Sequence, residues 1–191
     1  ALVPETNDAA DLGIGWDGQS LGAQAMVFDN RVRHLIVPRL FNTVAGRGQY
    51  VFENIDQARM KGLELEAHAG LAAGYRAGLN LTVLDARDGG GQRLEKRPRQ
   101  QQGMQLDWSG GPWRAGLRVE RQTGMLIAPT VVGQPMQALP DLTRVSAQVQ
   151  RALGDRLSLS LGVDNLTALQ LADQSPLFTW AEAPRTWRLA L

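Results

Sequence analysis

Cysteine is absent from this sequence of 191 residues, and histidine occurs only twice, at His34 and His68. Without cysteine the chain can form neither a disulfide framework nor a thiolate metal site. An excess of one charge is also lacking, because 20 Lys and Arg residues are balanced by 19 Asp and Glu residues. The net charge of +1 gives no electrostatic reason to expect a nucleic acid as partner. No run of about 18 apolar residues occurs, so no transmembrane helix is recognisable.

Short segments of alternating apolar and polar residues are what the sequence does contain. Residues 157–164 read Leu-Ser-Leu-Ser-Leu-Gly-Val-Asp, and clear copies of this alternation lie at 62–69, 76–83 and 144–150. Weaker copies lie at 11–17, 21–37, 103–108, 113–120 and 186–191. A period of two is typical of β-strands that have one apolar and one polar face. The sequence therefore predicts nine strands and no helix.

The connections between these segments alternate strictly in length. Short ones lie at 17–20, 71–74, 109–112 and 154–156, and long ones at 38–56, 86–100, 122–142 and 165–185. Outer-membrane barrels have short periplasmic turns and long extracellular loops, whereas Greek-key sandwiches keep no such rhythm. We therefore predict an all-β fold, an antiparallel up-and-down transmembrane β-barrel. A soluble β-sandwich binding module is the alternative, because alternation by itself suits both folds.

The apolar face of the predicted strands should contact lipid. Its leucines are Leu63, Leu65, Leu79, Leu81, Leu157, Leu159 and Leu161. Trp16, Trp108, Trp113 and Trp187 have the same parity and lie near strand ends, as an interfacial aromatic girdle requires. If short turns are periplasmic, nine strands begin at the extracellular side, and a single-chain bacterial barrel normally has an even number. We therefore expect residues 1–191 to be one part of a longer barrel.

No catalytic constellation stands out, so we predict a protein that is not an enzyme. His68, Glu64 and Glu66 share the polar parity of one segment, which is ordinary for the wall of a water-lined barrel. The one charged cluster with a binding interpretation lies in the long connection before residue 100. Its cations are Arg87, Arg93, Lys96, Arg97 and Arg99. Arginine offers fixed bidentate donors to an anionic ligand, although such residues could equally bind lipopolysaccharide phosphates or solvate a loop.

Four stretches, in this order, resemble the C-terminal half of TonB-dependent outer-membrane receptors. Pro4-Glu-Thr-Asn7 with Asp11-Leu-Gly13 resembles the family's PETS…ELG, and Asn54 to Glu66, ending in Ala58-Arg-Met-Lys-Gly-Leu-Glu-Leu-Glu66, resembles N…ARxxGLELE. Leu161-Gly-Val-Asp-Asn-Leu-Thr167 resembles GVxNLFD, and Pro184-Arg-Thr-Trp187 resembles PGRTY. The sequence departs from the family at Ala168-Leu-Gln170 and in ending at Leu191 without a final aromatic residue.

This resemblance implies a 22-stranded barrel in the bacterial outer membrane, plugged by an N-terminal globular domain, of which the chain would form the last nine strands. It implies uptake of a siderophore, haem or cobalamin, with some preference for a ferric catecholate. The implied partners are outer-membrane lipid and lipopolysaccharide, a small iron chelate, and TonB through an N-terminal region. The family's plug and TonB box do not occur in this sequence, which indicates a truncated chain. No resident cofactor or metal is expected.

Overall fold

The computed structural model describes residues 1–45, 47–129, 131, 134–178 and 183–191. The strands are β1 (Thr6–Asp17), β2 (Leu21–Val44), β3 (Arg47–Gly70), β4 (Tyr75–Asp88), β5 (Gln100–Gly110), β6 (Trp113–Thr123), β7 (Leu126–Ile127), β8 (Gln137–Ala138), β9 (Leu142–Ala152), β10 (Ser158–Asp164) and β11 (Thr186–Ala190). A 3₁₀ turn at Ala72–Gly74 and a single helical turn, α1 (Leu171–Gln174), join them. No helix in these ranges has the length and apolarity that a membrane crossing requires.

Nine of the strands form one antiparallel meander in the order β1-β2-β3-β4-β5-β6-β9-β10-β11, and β7 pairs only with β8. The nine predicted strands are therefore confirmed. The predicted alternation of short and long connections holds from β3 onward, at 71–74, 89–99, 111–112, 124–141, 153–157 and 165–185, but β2 and β3 are joined by a short connection. The soluble sandwich is not supported, because the nine strands lie in one sheet and not in two stacked ones. Among the described residues, β1 and β11 do not pair with each other, so the sheet is open.

Two predictions about connections are wrong. Residues 38–56 are not a long loop, because β2 and β3 pair from their short-turn end up to Val44 and Arg47. Pro38 reads as a loop residue, but β1 pairs with β2 only up to Arg33, so Pro38 lies on a free edge. The N–H of Ile36 points away from β3 and donates to the Glu5 carboxylate. The nitrogen of Pro38, two residues further along the strand, points in the same direction. Its missing donor therefore breaks no ladder bond. The expectation of no helix also fails, at the single turn of α1.

One face of the sheet is apolar and largely exposed. Its rows across β1 to β4 include Leu12–Val27–Leu63–Val83 and Ile14–Ala25–Leu65–Leu81. Ile14 is 79% and Leu189 72% exposed. Of the predicted lipid-facing leucines, all but Leu157 lie in strands on this face, and Leu157 just precedes β10. The buried core within the described residues is small and lies under the loops, around Leu139, Leu171 and Phe178. Such a surface suits a lipid environment far better than water.

The apolar residues form a band that crosses the hydrogen-bonded rows obliquely. The apolar stretch is centred on Ile14 in β1, on Leu79 in β4 and on Leu189 in β11. Followed across the paired strands, the row of Ile14 meets β4 at Leu81, whereas the row of Leu189 meets β4 at Tyr75. The centre thus shifts by about six residues over about eight strand spacings, or roughly 20 Å over roughly 38 Å. That slope corresponds to strands tilted by about 28° from the membrane normal, approaching the roughly 35–45° of transmembrane barrels.

Candidate functional site

Three connections meet at the long-loop end of the sheet and enclose a cavity of about 460 Å³. One wall is the arm, defined as residues 35–44 of β2 with residues 47–55 of β3. The other walls are the 89–99 loop, which joins β4 to β5, and the 124–141 loop, which joins β6 to β9. Leu35, Ile36 and Val37 supply an apolar wall, while residues 92–97 supply charged groups. The cavity therefore combines an apolar surface with cations.

The 89–99 loop is held in one conformation by its own hydrogen bonds. The Asp88 carboxylate accepts the N–H groups of Gly90 at 2.9 Å and Gln92 at 2.8 Å. Gly91 has a φ of +83°, which a residue without Cβ adopts without strain. Arg87 donates to the Gly91 carbonyl at 2.9 Å, closing the turn from the strand side. The sequence Asp88-Gly-Gly-Gly91 is thus a hydrogen-bonded turn.

The 89–99 loop is also bonded to the 124–141 loop. The N–H of Lys96 donates to the Leu126 carbonyl at 2.8 Å, and the N–H of Ala128 donates to the Glu95 carboxylate at 2.9 Å. The guanidinium of Arg93 donates to the Gly124 carbonyl at 2.5 Å. Burial, together with nearby Arg99 and Arg87, lowers the pKa of Arg93 from its usual value. Arginine remains charged even so, and the two loops form one bonded wall.

The five cations predicted as ligand contacts are not gathered in one place. Arg93, Lys96 and Arg97 line the cavity, and the last two are exposed. Arg87 lies inside β4, on the apolar-face side, where its Nε donates to Asp85 at 2.9 Å. Arg99 lines a different, open depression that it shares with Lys61 and Asp85.

A second depression, of about 480 Å³, lies on the polar face across β5, β6, β9, β10 and β11. Arg118, Arg144 and Arg188 line it, and none of them was singled out from the sequence. Arg118 donates to the Gln105 side chain at 2.9 Å, and Arg188 to Asp164 at 3.1 Å. From the sequence one could recognise only that each of these arginines occupies a polar position of its strand. That they lie close together follows only from the register between the strands.

The polar residues of β3 make ordinary wall contacts. Gln24 donates to Glu66 at 2.6 Å, and His68 lies 3.4 Å from Asp17. No group of three or more His, Cys, Asp or Glu side chains that could hold a metal ion occurs in the part of the chain that the structure describes.

Comparison with known proteins gives one family and one fold. Residues 1–166 match the family model described as TonB dependent receptor-like, beta-barrel. The copper transporter OprC superposes with a TM-score of 0.74 at 23% identity, over 87% of this chain and 26% of that one. The siderophore receptor PirA from Acinetobacter baumannii gives 0.72 at 20%, over 97% and 31%. A mutant of the ferric enterobactin receptor PfeA from Pseudomonas aeruginosa gives 0.67 at 26%, over 86% and 26%.

The chain thus spans between about a quarter and a third of the length of these three structures. No curated protein sequence matches it significantly. Likeness at 20–23% identity establishes the fold alone. The ligands in these names are those of the named proteins.

Proposed function

Because this chain belongs to the TonB-dependent receptor β-barrel family, we propose that it forms part of the wall of an outer-membrane receptor that imports a ferric siderophore unchanged. The strands supply the wall, the long-loop end faces outward and binds the ligand, and TonB supplies the energy through another region of the protein. The oblique apolar band on an open sheet supports the wall, because the same surface in water would aggregate.

The loop-end cavity is the single observation that favours an anionic chelate as ligand. Lys96 and Arg97 are exposed on a loop that is bonded to its neighbour, so they can meet a ligand with little reordering. Leu35, Ile36 and Val37 face the same cavity and can contact the apolar body of a chelator. Ferric siderophores combine an anionic metal centre with an organic framework, which matches both walls.

Likeness to a copper transporter raises a bare metal ion as the competing ligand. The charges at the cavity argue against it. Four cations, Arg39, Arg93, Lys96 and Arg97, line the cavity against three carboxylates, Glu53, Asp88 and Glu95. Each carboxylate already has a partner, because Glu53 binds Arg39 at 2.9 Å, Asp88 accepts the N–H groups of Gly90 and Gln92, and Glu95 accepts the Ala128 N–H. A cation entering there would be repelled, whereas an anionic chelate would be attracted.

The test measures uptake by the full-length protein in a strain deleted for it, with iron supplied as radiolabelled ferric enterobactin. Lys96→Glu with Arg97→Glu should weaken binding at least about 150-fold, since the two charge-assisted hydrogen bonds that are lost contribute about 1.5–3 kcal/mol each. The matched control is Arg156→Glu, in the exposed short turn at the opposite end of the sheet, which should leave uptake unchanged. Uptake of copper ions in place of the chelate, or equal uptake by both variants, would contradict the proposal.

A further inference from the structure

A charged patch lies on the apolar face directly beyond the band, on the long-loop side of β1 to β4. It consists of Asp8 on β1, Asp29, Arg31 and Arg33 on β2, Arg59 and Lys61 on β3, and Asp85 and Arg87 on β4. The register places these residues on the same face as the apolar row that begins at Leu12, because no bulge interrupts β1 to β4 between them. A surface that contacts lipid therefore becomes strongly charged within two residues.

Three arginines of the patch are directly opposite one another. Arg31 pairs with Arg59, and Arg59 pairs with Arg87. Like charges that face each other across neighbouring strands destabilise a sheet. The patch holds five cations against three carboxylates, so its own acids do not neutralise it. An anion bound over this row of arginines would remove the repulsion.

The carboxylates orient the arginines and leave donors free. Arg59 donates through Nε to Asp29 at 2.7 Å, and Arg87 donates to Asp85 at 2.9 Å. Arg31 makes only a 3.8 Å contact with Asp29 and is 66% exposed. Because a guanidinium carries five N–H donors, each of the three arginines keeps some for an external group. Such a planar, fixed array suits the oxygens of phosphate.

The patch begins at the depth of the headgroup layer of a membrane. Lys61 lies one row beyond the last apolar row and Arg59 two rows beyond it, or roughly 7 and 14 Å along the strand. Allowing for the tilt, these distances become heights of about 6 and 12 Å, whereas the polar layer of a bilayer leaflet extends about 5–8 Å from the hydrocarbon. The Lys61 row thus lies within the headgroup layer, and the arginine row lies about 4 Å beyond it, a distance that the long arginine side chains can span. The patch is also continuous with the lipid-facing band.

The opposite border of the band is different. It carries the aromatic residues Trp16, Tyr75, Trp108 and Trp113, and its Arg151 lies over the Trp113 ring at 5.1 Å from the centroid. The cations are therefore concentrated on one border, which matches a bilayer whose two leaflets differ in phosphate content. On β5 the positions beyond the band are the uncharged Gln100 and Gln102.

We propose that this patch binds the headgroup phosphates of lipopolysaccharide in the outer leaflet. The proposal rests on the outer-membrane location in the proposed function and not on the transported ligand. The phosphates lie over Arg31, Arg59 and Arg87, while the acyl chains continue down onto the apolar band. Four neighbouring strands give a patch about 14 Å wide, which accommodates the headgroup of a single glycolipid.

The test compares the full-length protein with its Arg31→Gln/Arg59→Gln variant after purification in detergent. Lipopolysaccharide retained per protein is measured by mass spectrometry, and binding is measured with bisphosphorylated lipid A, monophosphoryl lipid A and phosphatidylglycerol. Each cation near an anionic surface contributes about fivefold in affinity, so the double variant should bind bisphosphorylated lipid A about 25-fold more weakly. The control Arg114→Gln, on the polar face near a short turn, should bind like the unaltered protein.

The proposal would be overturned if the Arg31→Gln/Arg59→Gln variant retained as much lipopolysaccharide as the Arg114→Gln control. It would also be overturned if phosphatidylglycerol bound as well as lipid A. If the double variant fails to assemble, Arg31→Gln by itself is used, since Arg31 makes only the one long contact. The two proposals fail in different ways. Loss of lipid A binding with no siderophore uptake by any form would refute the ligand alone. Siderophore uptake with unchanged lipid A binding would refute the patch alone.

Discussion

Replacing one leucine in the middle of the apolar band tests both its face and its depth. Leu79 lies four residues from Tyr75 and four from Val83, the two ends of the band on β4, and is 52% exposed. An arginine at the bilayer midplane costs about 2–4 kcal/mol, which is about 30- to 900-fold in the folding equilibrium. The neighbouring Asn80 has the opposite parity and lies across from Glu66 on the polar face. Leu79→Arg should therefore destabilise the barrel strongly, and Asn80→Arg should not.

Arginine in place of a second leucine tests whether the loss of stability depends on depth in the membrane as well as on the face of the sheet. Leu159 also lies on the apolar face, but it is paired with Arg151, whose guanidinium stacks on Trp113 at the border of the band. An arginine near the membrane interface costs only about 0–1 kcal/mol. Leu159→Arg should therefore be tolerated far better than Leu79→Arg, although from sequence both are simply leucines of an apolar face.

The assay is urea unfolding of the full-length protein folded into phospholipid vesicles, followed by the shift in electrophoretic mobility between folded and boiled samples. The order of stability should be Asn80→Arg, then Leu159→Arg, then Leu79→Arg. Equal stability of Leu79→Arg and Asn80→Arg would show that Leu79 does not face the lipid. A loss for Leu159→Arg as large as for Leu79→Arg would show that the band is not oblique.

Three further substitutions test how the loops and turns are held. Asn165 is buried and exchanges two 2.8 Å hydrogen bonds with the backbone of Leu169, so Asn165→Ala should destabilise this turn by about 1–3 kcal/mol. Faster exchange of the Leu169 amide is the measurement, and unchanged exchange would refute the role. Gly74 and Gly91 both have φ near +80°, but a Cβ on Gly74 would lie 2.0 Å from the Ser109 carbonyl oxygen, while Gly91 has open space. Both alanine variants should lose about 1–2 kcal/mol to backbone strain, and urea unfolding should show a larger loss for Gly74→Ala.

Local alternation and connection length were enough to predict most of the fold. A period of two fixes which residues share a face wherever a strand is regular, so the nine strands and the apolar leucines follow from short stretches of sequence. The motif around Ala58 to Glu66 indicated the family for the same reason, because it is a local pattern. The arm could not be predicted locally, since Pro38 is tolerated only because no strand continues beside it on that edge.

The depth of each residue in the membrane, and its neighbours on adjacent strands, depend on the register between strands. Arg31, Arg59 and Arg87 are 28 residues apart in sequence, and nothing in the chain indicates that they form one row until β2, β3 and β4 are paired. The same register separates Arg87 and Arg99 from the cations at the cavity, although all five lie within 13 residues. A strand's own sequence determines its two faces, whereas the position of each residue along the membrane normal depends on how neighbouring tilted strands are staggered.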